Sequence, residues 1–313
     1  MENEQNQKRI FTFGETVYDI VFKNGKVISS NPGGAMLNSA VSLGRLGLPV
    51  SLISELGKDQ IGADIIHFLN SNNVETKHIF RFSGGNTALA LAFLDDENNA
   101  NYDFYKFYPA LRLDGKFPVV GENDVVLFGS FFALSPKVRK PLMNFLRQAS
   151  KNKALIIYDP NIRKSNVFSN IEEVGFLSEN IAIADIVRAS DEDFLNIDPN
   201  VNSQEKAFRF IQERDCDNLI YTQNGHKVDF ISSNFSFGLP VPKIKTISTI
   251  GAGDSFNAGL IFGLCKYEIT LSNVHQINME TWKNIVKTAI NFGSHVCTQM
   301  GNYISESFVK KNH

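Results

Sequence analysis

Six short apolar runs recur along the chain, at Ile10 to Phe13, Val50 to Ile53, Asp124 to Phe128, Ala154 to Tyr158, Ile181 to Val187 and Asn218 to Thr222. Each is about one strand long, and none alternates apolar with polar residues, so both faces of each are to be buried. Between them lie segments of helical spacing: Gln60 to Leu69 with Ile61, Ile65 and Phe68; Lys137 to Ala149 with Val138, Leu142 and Leu146; Glu205 to Arg214 with Phe208 and Ile211. Strands apolar on both sides need helices above and below them, and their crossovers are right-handed. The pattern predicts an α/β chain, a three-layer α/β/α sandwich. No repeat and no Pro/Gly/Ser-rich linker interrupts the 313 residues, which predicts one domain over 1–313.

Two stretches break the rhythm. Val17, Ile20, Phe22 and Val27 flank Asn24-Gly25, a hairpin signal because the tight turn needs positive φ at both central residues. Thr87 to Phe107 alternates, with Tyr102, Phe104 and Lys106 against Asp103, Tyr105 and Phe107, after an expected turn at Asp95 to Asn99. Period-two ribbons with one wet face suit a small antiparallel β lid, inserted from about 15–32 and 84–110; the alternative is an edge that extends the main sheet.

The stretch richest in chemistry is Ser248-Thr249-Ile250-Gly251-Ala252-Gly253-Asp254, followed by an apolar helical run through Leu264. Gly251 and Gly253 let the backbone turn closely around a ligand, and a helix starting there exposes unpaired amides and its positive pole, an anion hole. Asp254 in the first turn sets a carboxylate beside that anion, where it can take a proton from an attacking hydroxyl. The bland alternative is an aspartate that merely caps its own helix. A second stretch, Asn31-Pro32-Gly33-Gly34-Ala35-Met36-Leu37-Asn38, also opens a helix on paired glycines. Asn38 offers a donor and an acceptor to a polyol, and Asp19 offers a carboxylate to adjacent hydroxyls; a structural turn and a solvated loop charge are the competing readings.

Together these stretches resemble the two signature motifs of the PfkB, or ribokinase-like, family of carbohydrate kinases, with Asp159-Pro160-Asn161-Ile162-Arg163 as a third family-like element. The resemblance implies transfer of the γ-phosphoryl group of ATP, with Mg²⁺, to a primary alcohol of a small sugar, under a β lid that often mediates homodimers. By it, Asp254 matches the catalytic base, Gly251, Ala252 and Gly253 the anion hole, and Gly34, Asn38 and Asp19 the sugar-binding positions. Arg163 matches an arginine for substrate oxygens, and Thr222 a nucleotide-side position, in a turn that reads Thr222-Gln223-Asn224-Gly225. The family's Asn-x-x-Glu element aligns with Ser190 to Asp193, so Ser190 and Asp193 are nucleotide-side candidates and Asp193 a water-bridged Mg²⁺ position. Ser248 stands where the family has an aspartate that helps to hold potassium, which puts a monovalent-cation site in doubt. Asp103 to Lys106 looks most like the fructokinase branch, with Phe104 an apolar wall beside the sugar. Alternatives within the family are ribose, 2-keto-3-deoxygluconate or a nucleoside. Outside it, Ser248 and Ser190 allow a catalytically weakened sugar-binding regulatory protein.

Composition closes other routes. The net charge of −2 argues against nucleic acid and against an anionic membrane surface as partners. Cys216, Cys265 and Cys297 form no CxxC pair, the polar start at Met1 to Arg9 has no leader-like apolar core, and no long apolar run follows, so a reducing cytoplasmic location is expected. The histidines 67, 78, 226, 275, 295 and 313 lack metal-ligand spacing, and no GxGxxG follows the first strand, where Gly14-Glu15-Thr16 stands.

Overall fold

The computed structural model describes residues 8–95, 100–163, 171–223 and 225–312. In chain order its strands are β1 (Ile10–Phe13), β2 (Val17–Lys23), β3 (Lys26–Gly33), β4 (Val50–Gly57), β5 (Val74–Glu75), β6 (Ile79–Phe82), β7 (Asn86–Leu94), β8 (Ala100–Phe107), β9 (Val125–Gly129), β10 (Leu155–Asp159), β11 (Ile186–Ser190), β12 (Asn218–Gln223), β13 (Lys227–Ser232) and β14 (Ser236–Pro240). The α-helices are α1 (Ala35–Arg45), α2 (Gln60–Ser71), α3 (Pro136–Lys151), α4 (Ile171–Ile183), α5 (Asp191–Ile197), α6 (Gln204–Gln212), α7 (Ala252–Lys266), α8 (Met279–Val296) and α9 (Glu306–Asn312).

Among the described residues the main sheet runs β14-β13-β12-β11-β10-β9-β1-β4-β5, with β6 also on β4. From β12 to β5 every neighbour is parallel. Successive residues of these strands feed opposite layers, as the pleat requires. Leu127, Leu155 and Ile157 join Leu37, Leu260 and Trp282 on one face. Val126, Phe128, Ile156 and Tyr158 join Leu142, Leu146 and Ile181 on the other. The doubly apolar runs are thus the centre of a three-layer sandwich.

Two expectations need correction. The run at Ile181 to Val187 is two elements: Ile181 to Ile183 end α4, and the strand begins at Ile186. A fully apolar stretch reads alike as the end of a buried helix or as a buried strand. The lid sheet, β3-β2-β7-β8, is mixed instead of antiparallel, because β2 and β7 pair parallel. β1 and β6 both run parallel to β4, so the strands that follow them leave the same edge of the main sheet in the same sense. The hairpin over Asn24-Gly25 forms, with Asn24 and Gly25 both at positive φ. Of the expected turn at Asp95 to Asn99, positions 96–99 lie outside the described residues. The antiparallel pair β13 and β14 was not anticipated.

Cross-strand pairing sorts the lid's side chains. Asp19 lies opposite Asn31 and Ala90, and Ala90 and Ala92 lie opposite Phe104 and Tyr102, so these share the inner face. Ile20, Phe22, Leu91 and Phe93 share the outer one, where Phe22 stacks on Phe93 at 5.1 Å. The lid is tied to the main sheet by a chain of polar contacts. Lys106 and Tyr108 both donate to Glu15, at 2.6 and 2.7 Å. Arg112 stacks on the Tyr108 ring at 3.5 Å and pairs with Glu55, whose second oxygen accepts from the Leu113 amide at 3.0 Å. No helix of the described residues is long and apolar enough to cross a membrane.

The Arg112 and Glu55 side chains are only 5% and 3% exposed, so losing one partner strands a buried charge. Glu55→Ala is expected to lower stability by about 3–5 kcal/mol, read as a lower urea midpoint; a shift below about 1 kcal/mol would mean that the pair carries no such burden.

Candidate active site

The carboxyl ends of parallel strands are where an α/β sheet leaves room for a ligand. There α7 begins. Gly251 caps it at φ 79°, a left-handed conformation, and no side chain caps the helix. The first intrahelical bond, Ser255 N–H to the Gly251 carbonyl at 2.8 Å, lies beyond the Gly253 and Asp254 amides. These two amides face outward at the positive pole. The Ala252 amide, expected in the same anion hole, donates instead to the Thr249 carbonyl at 3.2 Å and closes the turn.

Asp254 meets α1 across this tip. Asn38 Nδ2 donates to Asp254 Oδ2 at 2.8 Å, and Ser39 Oγ donates to the Asp254 carbonyl at 2.9 Å. α1 likewise begins at a glycine, Gly34 at φ 119°, without a side-chain cap. Asp254 Oδ1 receives no donor among the described residues. Burial pushes its carboxyl up to about 6, against the Asn38 hydrogen bond; Asp159 pushes the same way, while Arg163 and Arg188 pull it down. The sequence-predicted base therefore has a free oxygen and a proton affinity close to neutrality.

Asp19 looks down from the lid. Its carboxylate lies against the Gly33 backbone, so that a side chain at 33 would displace it. Burial raises it too, to about 6, and Arg163 opposes the rise. Arg163 stands with its guanidinium 5.5 Å from the Tyr102 ring centroid. Tyr102 stacks on Phe104 at 5.8 Å with the rings 11° apart, and Lys106 Nζ lies 4.7 Å from the Phe104 centroid. Asp19, Asn38, Arg163 and Asp254 thus act on one another electrically beneath the lid, while Phe104, at 50% exposure, lies toward its rim.

The nucleotide-side candidates divide. Thr222 is the last residue but one of β12, and its Oγ1 accepts from Arg188 Nη2 at 3.1 Å. Ser190 and Asp193 are occupied with each other. Ser190 caps α5 by accepting from the Asp193 amide at 3.0 Å, and Asp193 Oδ2 accepts from the Ser190 amide and hydroxyl, each at 2.7 Å. Asp193 Oδ1 accepts from the Ile162 amide at 2.6 Å. The pair is a capping box that also fixes the residue before Arg163. Ser248 Oγ accepts from the Ile250 amide at 3.2 Å, a local turn bond. The Thr222 turn includes Asn224, outside the described residues.

Three residues absent from the sequence-derived site complete it. Asp159 Oδ2, at the end of β10, accepts from Asn257 Nδ2 at 2.5 Å and Arg188 Nη1 at 3.1 Å. Burial raises the Asp159 carboxyl, with Arg188 opposing. The available signal was a charged residue at the carboxyl end of a strand expected to be buried, as Arg188 is on β11. Among the described residues no three His, Cys, Asp or Glu side chains gather to hold a metal ion.

Comparison with known proteins gives the family and the fold. The model of the pfkB family carbohydrate kinases matches residues 7–307. A putative sugar kinase of Pyrococcus horikoshii is 28% identical over 82% of this chain and 83% of its own. A probable fructokinase of Arabidopsis thaliana is 26% identical over 83% and 82%. The aminoimidazole riboside kinase of Salmonella enterica, solved with aminoimidazole riboside and an ATP analogue, superposes with a TM-score of 0.81 over 97% of this chain and 99% of that one, at 19% identity. The fold is ribokinase-like, and the chain belongs to the pfkB family of carbohydrate kinases, phosphotransferases that use an alcohol group as acceptor.

Proposed function

We propose that the protein transfers the γ-phosphoryl group of ATP to a primary hydroxyl of fructose. The observation that carries the reading is Asp254, with one oxygen held by Asn38 and the other free, beside two unpaired amides at the tip of α7. Asp254 Oδ1 takes the hydroxyl proton as that oxygen bonds to the γ-phosphorus. The bond from the γ-phosphorus to the bridging oxygen breaks, and ADP leaves with the electron pair. The Gly253 and Asp254 amides and the helix pole stabilise the charge on the moving group. Mg²⁺, bound with the nucleotide, would supply further neutralisation of the phosphates. Asp19, Gly34 and Asn38 hold sugar hydroxyls, Arg163 lies over substrate oxygens, and Phe104 closes the rim of the pocket. Thr222 lies on the nucleotide side with Ser190 near it. Asp193 is poorly placed for a water-bridged Mg²⁺, because both carboxylate oxygens already accept from Ser190 and Ile162.

The Arabidopsis fructokinase likeness favours fructose, and the aminoimidazole riboside kinase keeps a ribosyl acceptor in play. Initial rates of ADP release with ATP·Mg²⁺ and fructose, ribose, 2-keto-3-deoxygluconate, fructose 6-phosphate and adenosine decide among them, and fructose is expected to lead. The apolar outer face of the lid, with Phe93, Tyr105 and Phe107 exposed, fits a homodimer formed lid to lid. The three free cysteines suit a reducing cytoplasm.

Asp254→Asn is expected to cut kcat by about 10²–10⁴ while the KM for sugar stays within a few-fold; turnover within tenfold of the native rate would remove Asp254 as the base.

The carboxyls of Asp254 and Asp19, both raised to about 6, must be ionised to act. kcat/KM should therefore fall as pH drops through 6, with a slope approaching two, and Asp19→Asn should reduce that slope to one. A flat profile down to pH 5 would contradict both assignments. A raised carboxyl binds its proton more tightly in the folded chain, so stability is lost as pH rises from the ordinary carboxylate range through 6, and the full cost is present above it. Asp254→Asn should thus raise the melting temperature at pH 8, and a fall would reverse the sign of this account.

A further inference from the structure

The mechanism above leaves one charged side chain in the site without work. Arg188 stands on β11 between buried Val187 and Ala189, its own side chain 11% exposed. A guanidinium offers five N–H donors. Nη1 gives one to Asp159 and Nη2 one to Thr222, both at 3.1 Å; among the described residues each Nη keeps a second, and the buried Nε has no acceptor. The network around it is short of partners in the other direction as well, since Asp159 Oδ1 and Asn257 Oδ1 are buried without donors. Native interiors seldom leave such groups idle unless water or a ligand completes them.

The position of the guanidinium narrows what that ligand is. A Cβ on Gly253 would lie 2.9 Å from Nη1 and 3.4 Å from Nη2, so the fork rests against the first turn of α7. A cation at the amino end of a helix is repelled by the helix dipole, and this helix has no side-chain cap to offset it. Asp159 balances one unit of charge, and Asp254 is the acidic residue of the first turn of α7, so two carboxylates face the guanidinium together with two helix poles and Arg163. An anion at the tip reverses the sign: it attracts the pole, the two amides and the guanidinium together, and phosphate oxygens match an arginine fork.

We infer that Arg188 grips the terminal phosphate of the bound nucleotide at the tip of α7, with Asp159 and Thr222 as struts that fix the fork. The inference rests on the kinase reading and adds a residue to it. Thr222 then serves the nucleotide through Arg188, and the short Gly253 backbone is what allows the fork to approach.

The test is calorimetric titration of the full chain, native and variant, with ATP, ADP and AMP in the presence of Mg²⁺. Arg188→Met should raise the Kd for ATP and for ADP by tenfold to a hundredfold and leave AMP within twofold. Arg188→Lys, which keeps the charge without the fork, should recover part of the loss. In steady state the KM for ATP should rise while the KM for sugar holds. A merely structural role predicts a lower melting temperature with ATP, ADP and AMP weakened alike, and that outcome overturns the inference, as do unchanged affinities. If Arg188→Met does not fold, Arg188→Lys decides: ADP weakened at least threefold with AMP unchanged supports the grip, and equal affinities refute it. A native chain that binds no adenine nucleotide sinks the kinase reading itself, whereas native binding of ATP with variants blind to phosphate number sinks only the role of Arg188.

Discussion

The hydrogen bond from Asn38 Nδ2 to Asp254 Oδ2 joins two helix starts that would otherwise repel. α1 and α7 each begin on a positive-φ glycine with no side-chain cap, so two positive poles approach each other with only one carboxylate beside them. The poles, the Asn38 amide and two nearby arginines all favour the ionised form of that carboxylate, yet burial outweighs them and its proton affinity ends near neutrality. Desolvation is the larger effect because taking a charge from water costs more than a few oriented dipoles return. What results is a carboxylate that is ionised at physiological pH and still basic enough to accept a proton.

The lid complements this arrangement by what it omits. Its inner face carries Ala88, Ala90 and Ala92, each 1% exposed, beneath the stacked Tyr102 and Phe104. Small residues in the middle strand keep the sheet close to the site, and the larger aromatics sit on the last strand. Glu15, placed just after β1, receives both Lys106 and Tyr108, so the lid is latched to the strand that leads into the site. Motion of the lid therefore has to work against charged contacts at its foot.

The doubly apolar strands were legible because period and burial are local properties, and the glycine-led helix starts because their backbone geometry restricts the residues that can occupy them. Asp19 and Phe104 fell on the inner lid face because alternation fixes faces once one strand pair is known. Arg188, Asp159 and Asn257 were missed as a group for a different reason. Each is unremarkable alone, and only the meeting of β10, β11 and α7 makes them a network. The sense of the β2 and β7 pairing was likewise invisible, since it depends on which edge of the main sheet each strand leaves. The end of α4 was misread because Ile181 to Ile183 carry no polar face to reveal a helix.

The Ser190 and Asp193 capping box has a reach that its own chemistry does not suggest. By accepting from the Ile162 amide, Asp193 sets the backbone from which the next side chain, Arg163, extends beneath the lid. The aim of that arginine is thus inherited from α5, the helix that follows the next strand, β11. A change at residue 193 would disturb the placing of Arg163 relative to Asp19 and Asp254 while leaving all three side chains intact, so function-loss maps of this protein need to distinguish a residue that acts from the residue that aims it.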